Sequence, residues 1–297
     1  MSTVSEAGAA AGATFHGSLP APVGSPRLRL AQTLAVVRLE LSRMLGRRGL
    51  AWVIFLVLPP LALAGGFAFM IRFIEAMPLS HAALVYAGIY HGFLLALVLF
   101  FGCVAIFTSL VRREMRDRTL HYYFLTPVRR ELLLVGKYLA GVIASFVLLG
   151  FATVGTWLLV YAPFLSLDPE GLSRFVRGGA GLGHLGAYVG VTLLGCIGYG
   201  AVFLATGIFF KNPVVPALSI YGWEAINFLL PASLKQVSII YYLGGLLPVA
   251  VDEGPFALIV APPSPWLAVP GLLALSAVLL ALSALRARRM ELAYGED

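Results

Sequence analysis

YLAGVIASFVLLGFATVGTWLLVY, residues 138–161, decides the fold. It contains no Asp, Glu, Lys or Arg. As an α-helix its 24 residues rise about 36 Å, enough to cross a hydrocarbon core of about 30 Å. One charge at mid-bilayer costs about 2.5–3.5 kcal/mol on insertion scales, so the clean run predicts a transmembrane helix. Working outward, five more stretches qualify: residues 51–71, 84–110, 185–210, 213–230 and 266–285. The reading is an all-α, polytopic membrane protein with six spans.

Composition agrees. Of 297 residues, 60% are apolar and 12% charged, and mean hydropathy is +0.91. Soluble domains carry about a quarter charged residues, so these cannot cover a soluble surface. The net charge of +7 would suggest nucleic acid in a soluble chain. Here the basic residues sit at the ends of apolar runs, so no nucleic-acid partner is expected and the bilayer is the partner. With the N-terminus inside, seventeen Lys and Arg fall on the cytoplasmic side and four outside. That bias orients both termini to the cytoplasm, in the cytoplasmic (inner) membrane.

Residues 1–26 hold one charge, Glu6, among Ala, Gly, Ser and Pro, and read as a disordered cytoplasmic tail. Residues 27–50 read as an amphipathic helix in the interface plane, with Leu30, Leu34, Val37 and Leu41 in a row and Arg27, Arg38, Arg43, Arg47 and Arg48 beside them. Residues 51–290 form the six-helix domain, and 291–297 a cytoplasmic C-terminal tail. Pro59-Pro60 predicts a kink in the first span unless neighbours resupply the lost hydrogen bonds. Gly183, Gly186, Gly190, Gly195, Gly198, Gly200 and Gly207 predict a fourth span packed inside the bundle. Between spans five and six, residues 231–265 are apolar but broken by Pro231, Gly244-Gly245, Pro248 and Gly254-Pro255. They read as a re-entrant or interfacial hairpin on the outer side.

The loop after span two, VRREMRDRTLHYYFLTP (111–127), is the candidate functional element. Its spacing predicts two short helices. Glu114 and Arg118 are four apart, as are Arg113 and Asp117, so each pair shares a face. Arg116 adds charge, and Leu120, Tyr123 and Phe124 form an apolar patch. Pro127 disfavours helix at Thr126, which can then cap a second helix that runs through Arg129-Arg130 to Gly136-Lys137.

These residues resemble the ABC-2 type permeases, the membrane subunits of ATP-driven exporters. The family pattern has a Glu, a Gly-Thr-Leu, a Pro before a small or basic pair, and a Gly-Lys leading into a span. The matches are Glu114, Thr119, Leu120, Pro127, Arg129-Arg130 and Gly136-Lys137. Arg118 stands where Gly is usual, and Tyr123 where Leu is common. The resemblance implies that segment 111–136 is a coupling loop docking on a separate ATP-binding subunit, through Glu114, Arg116, Arg118, Thr119, Leu120, Tyr123, Phe124 and Pro127. It also implies a homodimer, or a heterodimer with a paralogous permease, and ATP bound by the partner.

The rest of the chain offers little chemistry. No Gly-x-x-x-x-Gly-Lys-Ser/Thr phosphate loop occurs, so the chain is expected to hold no cofactor and not to be an enzyme. Five histidines (16, 81, 91, 121, 184) lack ligand spacing, and Cys103 and Cys196 read as small core residues. Neither catalytic nor metal sites are expected. Glu224 is the one acid inside an expected span, a candidate for the path or a subunit interface, unless a tyrosine or the backbone satisfies it. An ion-coupled secondary transporter is the alternative; a non-transporting membrane scaffold is another.

Overall fold

The computed structural model describes residues 26–44, 47–73, 77–116, 130–210, 212–249 and 263–289, with side chains throughout except at 47–54, 56, 111–116, 130, 232, 288 and 289. The described residues are mostly helical, and none of them lies in a strand. Helix α1 is Pro26–Met44 and α2 is Arg47–Met70. Next come α3, Leu79–Ile89, a π-helical stretch at Tyr90–Leu99, and α4, Phe100–Arg116, in one unbroken rod. Helix α5 is Arg130–Tyr161. The short α6, Phe164–Leu167, and α7, Pro169–Arg177, lead to α8, Ala180–Phe209. Then follow α9, Val214–Ala225; α10, Ala232–Lys235; α11, Ile239–Gly244; and α12, Pro265–Arg289.

Four segments are long and apolar enough to cross a bilayer: Leu79–Leu110, Glu131–Leu167, Ala180–Phe209 and Pro265–Ala287. They contain the expected spans two, three, four and six. The expected first span lies in the 24-residue α2, which stays helical through Pro59 and Pro60. The expected fifth differs. Helix α9 has 12 residues, a rise of about 18 Å, and a 3₁₀ turn, Asn227–Leu229, ends it. The chain turns there, and Glu224 is engaged by residues that follow the turn, as described below.

Helix α8 is the centre of the bundle. Its most apolar window is 78% buried, against 22% for α12 at the edge. The expectation from its seven glycines holds for the four toward the C-terminal end, Gly195, Gly198, Gly200 and Gly207, which are buried. A β-carbon at Gly195 would lie 2.8 Å from Leu99, at Gly198 3.3 Å from Ile239, and at Gly200 2.5 Å from Phe107. At Gly183, Gly186 and Gly190 nothing lies within 4 Å. Phe107 is wedged between α8 and α5, since a β-carbon at Gly141 would also meet it at 2.5 Å.

Polar contacts lock the same helices together. The Tyr90 hydroxyl donates to the Tyr188 carbonyl (2.9 Å) and lies 2.9 Å from Thr192 Oγ1. The Tyr86 hydroxyl donates to the Thr153 carbonyl (3.1 Å), and Tyr138 to the Ile197 carbonyl (2.9 Å). In hydrocarbon, a hydroxyl needs a partner, and here the partners are on neighbouring helices. Cys103 and Cys196 are fully buried free thiols.

Candidate functional site

Helices α4 and α5 are the two stalks on either side of residues 117–129, which lie outside the described residues. Helix α4 extends the α3 rod without a break to Arg116, and α5 begins at Arg130. Glu114 and Arg116 therefore lie on the last turn of a helix that began at the far end of a span. Their side chains are outside the described residues. So are all of Arg118, Thr119, Leu120, Tyr123, Phe124 and Pro127, together with the expected Glu114–Arg118 pairing.

What holds the stalks together is described, and it involves α1. Lys137, on the second turn of α5, is buried, and its Nζ donates to the Leu110 carbonyl of α4 (3.0 Å). The same Nζ is 3.3 Å from Glu40 Oε1 on α1. Both side chains are about one-twentieth exposed. Arg43 is 3.8 Å from the same carboxylate oxygen, from a more exposed position. Gly136 supplies the room. A β-carbon there would stand 2.8 Å from Val36 Cγ1 and 2.9 Å from Val36 Cβ. The absent side chain lets α1 lie directly against α5, which brings Glu40 within reach of Lys137.

The face α1 presents to the bundle is thus Val36, Val37 and Glu40. Leu30 and Leu34, expected in one apolar row with Val37, are each 65% exposed. An apolar pair turned away from protein, flanked by exposed Arg27 and Arg38, suits a helix resting on lipid. Helix α1 ends at Met44 and α2 starts at Arg47, so two helices occupy the 27–50 stretch.

Glu224 sits elsewhere, at the end of α9. Its carboxylate accepts the Ser238 hydroxyl (2.5 Å), the Ile239 amide (2.9 Å) and the Ile240 amide (3.2 Å). It therefore satisfies the first turn of α11. Ile239 and Leu243 of α11 are buried in the same core as Leu272 of α12, and they meet α8 at Gly195 and Gly198. Residues 250–262 of the expected hairpin lie outside the described residues.

No group of His, Cys, Asp or Glu suited to a metal occurs among the described residues. Sequence reasoning passed over Glu40. The signal was present: it is the single acid of α1, in a helix with four arginines. Gly136-Lys137 stood out as a motif, but its contacts needed the fold.

The family model described as ABC-2 family transporter protein matches residues 71–261, nearly two-thirds of the chain. That range includes both stalks, the loop, Lys137 and Glu224, and leaves out α1 with Glu40. No curated protein matches the chain.

Proposed function

The chain belongs to the ABC-2 transporter family, and from that premise we propose that it is the permease subunit of an ATP-driven exporter, with a separate ATP-binding subunit docked on the coupling segment 111–136. It is a multi-pass membrane protein of the transporter-permease type. The observation that carries the coupling is the pair of unbroken stalks. One rod runs from Leu79 to the loop, and α5 leads away from it into the next apolar span. A push on the loop therefore acts on rigid helices rather than on slack chain. No phosphate loop occurs in the sequence, which favours a partner that binds the ATP, with no hydrolysis by this chain itself.

The same reading has six crossings, with α9 and its 3₁₀ turn as the fifth, the segment after it as a re-entrant outer hairpin, and both termini in the cytoplasm. The arginine bias supports that orientation. Two copies, or one copy and a paralogue, form the path. Glu224 is the acid a coupling ion would call on, and three donors already engage it. That favours the ATP-driven reading over an ion-coupled one.

Charge reversal tests it. Glu114→Lys and Arg118→Glu, made singly in the full chain, are purified with the cognate ATP-binding subunit. Each is expected to lower recovery of the complex about tenfold, the effect of about 1.4 kcal/mol at a charged contact. Undiminished complex and undiminished stimulation of ATP hydrolysis in both variants would remove the loop as the docking element.

A further inference from the structure

We propose that the Glu40–Lys137 ion pair, closed over the Leu110 carbonyl, is a clasp that makes α1 move as one body with the two stalks of the coupling loop. Glu40 and Lys137 are then positioning residues for energy coupling, and α1 is a moving part rather than a passive float on the lipid. The inference rests on the proposed docking of an ATP-binding subunit and deepens it.

The geometry is specific. Leu110 lies six residues from the end of α4, and Lys137 seven residues from the start of α5. The clasp therefore ties both stalks about 10 Å from the loop, at the same height. Two separate contacts fasten α1 there: the close approach at Gly136 and the charge contact at Lys137. An amphipathic float needs neither. Leu30, Leu34 and the exposed arginines would hold it on a membrane without a buried acid.

Nor is stability a sufficient reason for the pair. A buried ion pair loses much of its Coulomb gain to desolvation, and apolar side chains of similar volume often do as well. What a buried pair adds is registry, because a charge taken from water tolerates only the position where its partner is. At this site registry means that α1 cannot slide along α5 or separate from it while the stalks move.

The experiment uses the full chain with its cognate ATP-binding subunit in nanodiscs. Spin labels are placed at the exposed Leu34 of α1 and the exposed Val278 of α12 by cysteine substitution. Cys103 and Cys196 are fully buried. Trapping with ATP and vanadate should shift the distance between the labels in the otherwise unchanged protein. In Glu40→Gln and Lys137→Met the complex still forms and hydrolyses ATP, while the shifted population falls about tenfold, within the usual span of coupling between sites.

Gly136→Ala leaves both charges in place and displaces α1 through Val36. It should lose the shift too, and Val36→Gly in the same chain should restore it. An undiminished shift in the charge variants overturns the clasp. If those variants do not accumulate, an undiminished shift in Gly136→Ala does so. A wild-type complex that forms and hydrolyses ATP without moving α1 overturns the clasp alone. Failure of the wild-type chain to bind the ATP-binding subunit overturns the docking proposal, and the clasp with it.

Discussion

Replacing Glu224 with glutamine should loosen α11 from the bundle. The carboxylate receives three donors on two oxygens: the Ile239 amide on Oε1, and the Ser238 hydroxyl with the Ile240 amide on Oε2. Glutamine keeps one acceptor oxygen and turns the other into a donor. If its oxygen replaces Oε2, the Ile239 amide faces an NH₂ group. If it replaces Oε1, the Ile240 amide does, although Ser238 can reverse and accept. Either way one backbone N–H is stranded in a buried place, at about 1–3 kcal/mol. A loss of about 2 kcal/mol raises the open population of this turn about 30-fold. Hydrogen exchange read on a peptide covering residues 236–244 should speed up by that factor. Glu224→Ala, which removes every acceptor, should speed it further, while peptides from α5 stay protected. Unchanged protection of 236–244 in Glu224→Gln would refute the capping role and return Glu224 to the candidates for the transport path.

Three further substitutions test the packing by thermal unfolding in detergent. Gly200→Ala puts a β-carbon 2.5 Å from the Phe107 ring, between helices that cannot part, and should cost about 1–3 kcal/mol. Gly190→Ala meets nothing within 4 Å and should be neutral or stabilise by up to about 1 kcal/mol through helix propensity; equal effects at the two sites would refute the assignment of faces on α8. Tyr90→Phe removes the hydroxyl shared with the Tyr188 carbonyl and Thr192, and should lower stability by about 1 kcal/mol, the scale of interhelical hydrogen bonds in membranes.

The long spans were legible because hydrocarbon imposes one simple rule, a run without charges. Residues 138–161 obey it and are helical, as are residues 185–209 of the expected span 185–210. Faces were less legible. The row Leu30, Leu34, Val37 and Leu41 is a fair apolar stripe, yet only Val37 of that row is fully buried. The orientation of α1 was decided by a missing side chain at Gly136 and a lysine beside it, far along the chain. Periodicity within α1 carries no information about either. Glu224 was visible as an anomaly in an apolar run, but its partners follow a reversal of the chain that ends α9 short. Nothing in the apolar run before the turn names those donors. The π-helical stretch Tyr90–Leu99 left no mark in the sequence pattern.

Helix α5 shows how one span can distribute a displacement. Three of its glycines each admit a different neighbour: Gly136 takes Val36 of α1, Gly141 takes Phe107 of α4, and Gly155 takes Leu61 of α2, at 2.8, 2.5 and 2.9 Å from where a β-carbon would be. At 100° per residue, Gly141 is turned about 140° from Gly136, and Gly155 about 100°, so the notches open in different directions. Close-packed interiors transmit strain because they have no slack to absorb it. A tilt imposed on α5 at its loop end therefore reaches α1, α4 and α2 through contacts that leave no room for a methyl group. Lys137 adds a polar tie at the notch nearest the loop. That notch differs from the other two, because α1 has no long apolar span of its own to hold it in place. It has a glycine seat, the buried Val37, one acid and a lipid-facing leucine pair, and of these the acid is the contact that demands one position along α5. A charge at that one junction adds registry to a packed apolar face that by itself tolerates a slide along α5.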